Sequence, residues 1–155
     1  MFMSKPEIHA PDLTQRPPRS LRCRLGGYAS LPRMLDKGRA VLAGKNGEYH
    51  YNCPLDQRVL GFLGIDAEAL KAELAAGKGD GEILQWINAN AKNKHADWEI
   101  EQWSAHVERR GPDSDAETLG FFAETVGKIS KTREDIHTWA DLLDLDDYVS
   151  FGGKA

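Results

Sequence analysis

Between Leu31 and Ala43 apolar residues recur three and four positions apart. Leu31, Met34, Leu35, Gly38, Val41 and Leu42 fall on one face of a helix. Pro32 suits its first turn, where a missing N–H costs nothing, and Gly44 suits its end. Before this helix the pattern is different. Pro6, Pro11, Pro17 and Pro18 deny residues 1–20 a helix and predict an extended arm. Leu21 to Leu25 alternates apolar and polar, which predicts a short strand, and Gly26-Gly27 permits a sharp reversal. Asn46-Gly47 marks a turn, after which Tyr49, His50 and Tyr51 would alternate on a short extended segment.

From Pro54 onward the period is helical. Leu55, Val59, Phe62 and Leu63 make a short helix ending near Gly64. Asp66 caps the next, closed by Gly77, and Asp80 caps "GEILQWINANA". Ile100, Trp103 and Val107 share a face over residues 96–110, which Gly111-Pro112 stops. Leu119, Phe122, Ala123, Val126 and Ile129 define another helix. The near capping box Thr132–Asp135 opens the last, with Ile136, Trp139, Ala140 and Leu143 facing inward. The expectation is a mainly α protein: an extended Pro-rich arm (1–20) and a single helical domain (21–155). That domain is a bundle of about six or seven short helices with at most a small two-stranded element.

Composition fits this picture. A chain of 155 residues with 41% hydrophobic and 28% charged residues buries roughly 70% of its unfolded surface. No apolar run is long enough to cross a bilayer, and the start has no apolar leader segment, so a cytoplasmic location is expected. Cys23 and Cys53 read as reduced thiols. Charge is uneven: residues 1–45 hold nine Lys/Arg against three Asp/Glu, the remainder eleven against twenty-one. A basic segment lying on an acidic body, its own or a neighbour's, explains this better than nucleic-acid binding, because the pI is about 5.7.

Motifs that announce common chemistries are missing. "GKGDG" lacks the phosphate-loop pattern. "DLDDYVSFGG" has Tyr148 where an EF-hand needs an oxygen ligand. No Gly-x-Ser-x-Gly, His-Glu-x-x-His or Gly-x-Gly-x-x-Gly occurs. His9, Cys23, His50 and Cys53 could supply four zinc ligands, but the spacing is weak and no metal or other cofactor is expected. A catalytic Cys53–His50 pair is possible on the same footing. Trp103 and Trp139 read as core. Trp86, Trp98, Phe121 and Leu142 lie off their helices' stripes and suggest a second contact surface, hence a homo-oligomer.

The candidate site lies in the first helix. Arg33, Asp36, Lys37 and Arg39 leave the apolar stripe free, and Arg33–Asp36 and Asp36–Arg39 are i,i+3 pairs. One reading is a solvated charged face; the other is a pocket for a small anionic ligand. In the second, arginines donate in pairs and Asp36 fixes their geometry, with Arg19 from the arm completing the set. A protein partner could use the same side. The rival is a cryptic hydrolase, lyase or isomerase in which His50 acts as acid–base, oriented by Asp36 or Asp56. A third reading is a purely structural module.

"APDLTQRPPRS", "LGGYASLPRMLDKGRA", "GEYHYNCPLDQ" and "TWADLLDLDDYVSFGG" are similar to a bacterial family of small proteins classed only as a domain of unknown function. The resemblance spans nearly the whole chain and implies a cytoplasmic, mainly helical protein. It carries no established activity or catalytic residue.

Overall fold

In the computed structural model, which describes residues 6–155, the chain first runs from residue 6 to 20 without helix or strand; residues 1–5 of the Pro-rich stretch lie outside the described residues. Leu13 is buried, and its amide donates to the Lys45 carbonyl at 2.8 Å. β1 (Arg24–Leu25) and β2 (Tyr28–Ala29) then form a minimal antiparallel hairpin, with Leu25 opposite Tyr28. The strand predicted over residues 21–25 is thus shorter and paired with its own return. Gly26 and Gly27, at φ 59° and 86°, make the turn. A Cβ at Gly26 would stand 2.5 Å from Leu84 Cδ1, so the turn also needs glycine for close packing.

Seven helices follow among the described residues: α1 (Leu31–Leu42), α2 (Pro54–Leu63), α3 (Ala67–Ala75), α4 (Asp80–Asn90), α5 (Asp97–Arg109), α6 (Ala116–Ile129) and α7 (Trp139–Ser150). The mainly α architecture expected from periodicity is therefore the one observed. No helix among the described residues is long and apolar enough to cross a membrane.

α1 is the axis of the fold. Every residue from Leu31 to Ala40 is buried. Leu31, Met34 and Leu35 meet Val59, Leu60 and Leu63 of α2, Leu70 and Leu74 of α3, and Ile83 and Ile87 of α4 in the main core. Gly38 lets α3 approach: a Cβ there would lie 2.6 Å from Leu74 Cδ1. A smaller cluster of Leu21, Ala29, Val107 and Ala140 ties the hairpin to α5 and α7. Ser104 of α5 locks that junction, accepting from the Ala29 amide and donating to the Gly27 carbonyl. Trp103 stacks on Phe62, with ring centroids 4.6 Å apart, beside this core.

α6 is peripheral. Its one buried residue, Phe122, packs with Ile136 of the irregular segment before α7 and with Leu142 and Leu145 of α7. Leu119, expected to face inward, is 46% exposed, because α6 packs chiefly against α7 on its other face. Leu142, expected off the stripe, is buried by that same contact, while Trp98 and Phe121 are exposed. Trp103 and Trp139 pack against cores, and Trp86 is half-buried against the main one.

Two helix starts differ from expectation. α4 begins at Asp80, with Gly79 in the capping position, so the Asp80 carboxylate is free to bind arginines. α7 begins at Trp139, not near Thr132. Thr138 caps it, accepting from the Asp141 amide at 3.0 Å. Residues 130–137 are irregular instead, held by Ser130 Oγ and an Arg133–Asp135 pair.

Candidate functional site

Because α1 is enclosed on all sides, its charged residues are inside the protein. Arg33, Asp36, Lys37 and Arg39 are each less than a tenth exposed. Buried charges require partners, and here each partner comes from a different part of the chain. Arg33 binds Asp147 of α7 at 2.7 Å, and Lys37 binds Asp56 of α2 at 3.0 Å. Asp36 accepts from Arg19 of the irregular N-terminal segment at 3.0 Å, and Arg39 meets Asp80 of α4 at 2.8 Å. Arg19 also reaches Asp80 at 2.8 Å, closing an alternating chain Asp36–Arg19–Asp80–Arg39. The solvated face and the i,i+3 pairs expected within the helix are therefore replaced by long-range pairs. The burial of α1 is the cause: a local pair would leave the opposing carboxylates of α2, α4 and α7 unneutralised.

The titration of these groups follows. Burial presses the Arg19 guanidinium down, but hydrogen bonds to Asp36 and Asp80 carry it above its ordinary value. Burial raises Asp80, and its two arginines more than offset this, holding its carboxyl below the usual range. Arg33 is raised by Asp147 in spite of strong desolvation.

On the other side of α1 lies a cavity of about 530 Å³, bounded by α1, residues 47–55, α7 and Leu13-Thr14. Arg33 and Lys37, one turn apart, line it from α1. Tyr49, His50 and Cys53 line it from the loop, and Asp146 and Phe151 from the C-terminal end. The alternating strand expected over residues 49–51 does not form. Tyr49 Oη donates to Asp147 Oδ1 at 2.7 Å, whereas Tyr51 Oη donates to the Ala67 carbonyl beside α3. Burial, then the neighbouring Asp147 carboxylate, raises the Tyr49 phenol well above its ordinary value. Arg33 stands 5.6 Å from the Tyr49 ring centroid.

Cys53 caps α2 behind Asn52, a non-glycine residue at φ 65°. Asp56 Oδ2 fixes this loop by accepting from the Asn52 amide at 2.9 Å and the Cys53 amide at 3.4 Å. The same oxygen pairs with Lys37, whose Nζ also lies 3.2 Å from Cys53 Sγ. Both cysteines are free thiols.

Of the residues singled out from sequence, Arg33, Lys37, His50 and Cys53 come together at the cavity. Asp36, Arg19 and Arg39 lie on the other flank of α1, where Arg39 and His9 line a smaller cavity of about 170 Å³. Asp56 sits behind Lys37. Among the described residues, His50 makes no hydrogen bond to Asp36 or Asp56. His9 is at the smaller cavity, apart from His50 and Cys53. The sequence does not mark Tyr49, Asp147 or Asp80 as site residues. The one signal for the two aspartates was the charge imbalance, which requires basic residues of the front to meet acidic ones of the rest.

No curated protein matches the chain. A family model does, over residues 15–149, which include α1, the cavity loop and nearly all of α7. The chain belongs to the family of the domain of unknown function DUF5069.

Proposed function

We propose that this protein binds a small ligand with an anionic head and an apolar body in the cavity beside α1. One observation carries the reading: two buried cations on successive turns line the cavity with donors to spare. An ammonium has three N–H groups and a guanidinium five. Lys37 has two acceptors among the described residues, and Arg33 uses three contacts, two to Asp147 and one to the Arg19 carbonyl. The remaining donors suit a carboxylate or phosphate head, and Leu13, Leu55, Leu143 and Phe151 suit an apolar body. Arg19, Asp36 and Arg39 act one step back in this reading, holding α1 in register through Asp80.

A catalytic version would use His50, which lines the same cavity, as proton donor or acceptor. Its proposed orienting carboxylates are already engaged, Asp36 by Arg19 and Asp56 by Lys37. Binding is therefore the reading the geometry favours. Self-association is the second part of the proposal, supported by the exposed Trp98 and by Leu119 and Phe121 on α6.

The test is thermal stability against carboxylates, phosphates, nucleotides and divalent metals. A ligand at 100 times its Kd adds about 2.7 kcal/mol, a rise of roughly 5–10 °C for a chain of this size. Arg33→Lys keeps a charge opposite Asp147 but loses the forked donors, so it should retain the unliganded melting temperature better than it retains the ligand-induced rise. A panel with no effective anion, or a rise untouched by Arg33→Lys, would overturn the reading.

A further inference from the structure

We propose that Cys53 is a nucleophile and that the cavity takes small carboxylates carrying an electrophilic carbon, an inference that rests on the ligand-binding reading above. Cys53 faces the cavity with Lys37, and the Lys37 ammonium is 3.2 Å from its sulfur. Lys37 is 4% exposed and is held in place by Asp56, itself 1% exposed. Its two acceptors leave one N–H of the ammonium for a cavity occupant. The sulfur is positioned by main chain, since Asp56 holds the Asn52 and Cys53 amides and α2 starts immediately after. The sulfur thus stands between a buried ammonium and the positive end of α2.

The geometry divides the work. Arg33 and Lys37 receive the carboxylate, and Cys53 Sγ attacks the electrophilic carbon and forms an S–C bond. With an α-halo acid the carbon–halogen bond breaks, halide leaves with its electron pair, and the thiol proton passes to water. With an α,β-unsaturated acid the π pair moves to the α carbon, which takes up a proton in place of the one the thiol lost. Neither step needs a further reactant. Lys37 is a binding residue in this scheme and also stands beside the sulfur.

The experiment compares alkylation of the full chain by iodoacetate and iodoacetamide, which share a leaving group and differ in charge, read at each cysteine by peptide mass. Cys53 in the folded protein should favour iodoacetate, relative to the same cysteine in urea, by about fivefold, the effect of one charge at contact distance in a water-like medium. Lys37→Arg should keep the preference and Lys37→Met should lower it. The wild-type comparison of folded with unfolded chain decides the question even if Lys37→Met does not fold. A folded Cys53 that stays unlabelled, or shows no greater preference than in urea, overturns the thiol inference. Carboxylates that stabilise such an inert protein would leave ligand binding standing. A reactive Cys53 that no carboxylate protects would overturn the assignment of carboxylates to the cavity.

Discussion

Asp56 shows how much can depend on one carboxylate. It neutralises Lys37, accepts two loop amides, and is almost fully enclosed. Asp56→Ala removes all three contacts and leaves a buried ammonium whose remaining neighbour is a sulfur. The expected loss is about 3–5 kcal/mol, measured by urea unfolding at neutral pH. Replacing both partners with apolar residues, Lys37→Met with Asp56→Leu, should recover a good part of it, since the desolvation of both charges disappears together. A single-variant loss under about 1 kcal/mol would contradict a buried pair, being the value of an exposed one. The sequence marked Lys37 and Asp56 separately as candidate site residues. That they face each other depends on α2 crossing α1, which no local pattern encodes.

At the scale of the element, α7 is the instructive case. The chain offers two similar starts six residues apart, Thr132-x-x-Asp135 and Thr138-x-x-Asp141. Local capping rules fit both, and the first was the natural choice. The second forms because Asp141 has additional partners. Burial raises its carboxyl, but hydrogen bonds from the His137 amide, Arg22 and Thr138 bring it to about 2. Arg22 also pairs with Asp144, so the β1 end of the chain grips the new helix at two positions. Thr138→Ala should therefore cost about 1 kcal/mol, whereas Thr132→Ala should stay within about 0.5 kcal/mol of wild type. Equal costs in chemical denaturation would place the working cap elsewhere.

For the whole molecule, the charge asymmetry is an internal fastening. Arg19, Arg22, Arg24, Arg33, Lys37 and Arg39 all bind carboxylates from α1, α2, α4, α5 or α7. Large apolar side chains also stay open to solvent: Trp98, Leu119 and Phe121 are each 46% exposed or more. If α6 meets a second copy, Phe121→Glu should shift the protein toward the 17.2 kDa monomer in light scattering, with little change in helix content. A wild-type protein that is already monomeric at high concentration would remove self-association from the proposal.

Sequence alone determined the helical class, the spans of α1 to α6 to within a few residues, and the glycine turn at residues 26–27. Each rests on a period, a cap or a backbone requirement that neighbouring residues supply. It also located α1 as the charged helix of interest. Tertiary structure alone decided that those charges are buried, which carboxylate answers each, and which two of them, Arg33 and Lys37, line a cavity with His50 and Cys53. The physical reason is that a buried charge takes its partner from whatever element encloses it. That choice is made by packing across as many as 114 positions of sequence, as between Arg33 and Asp147.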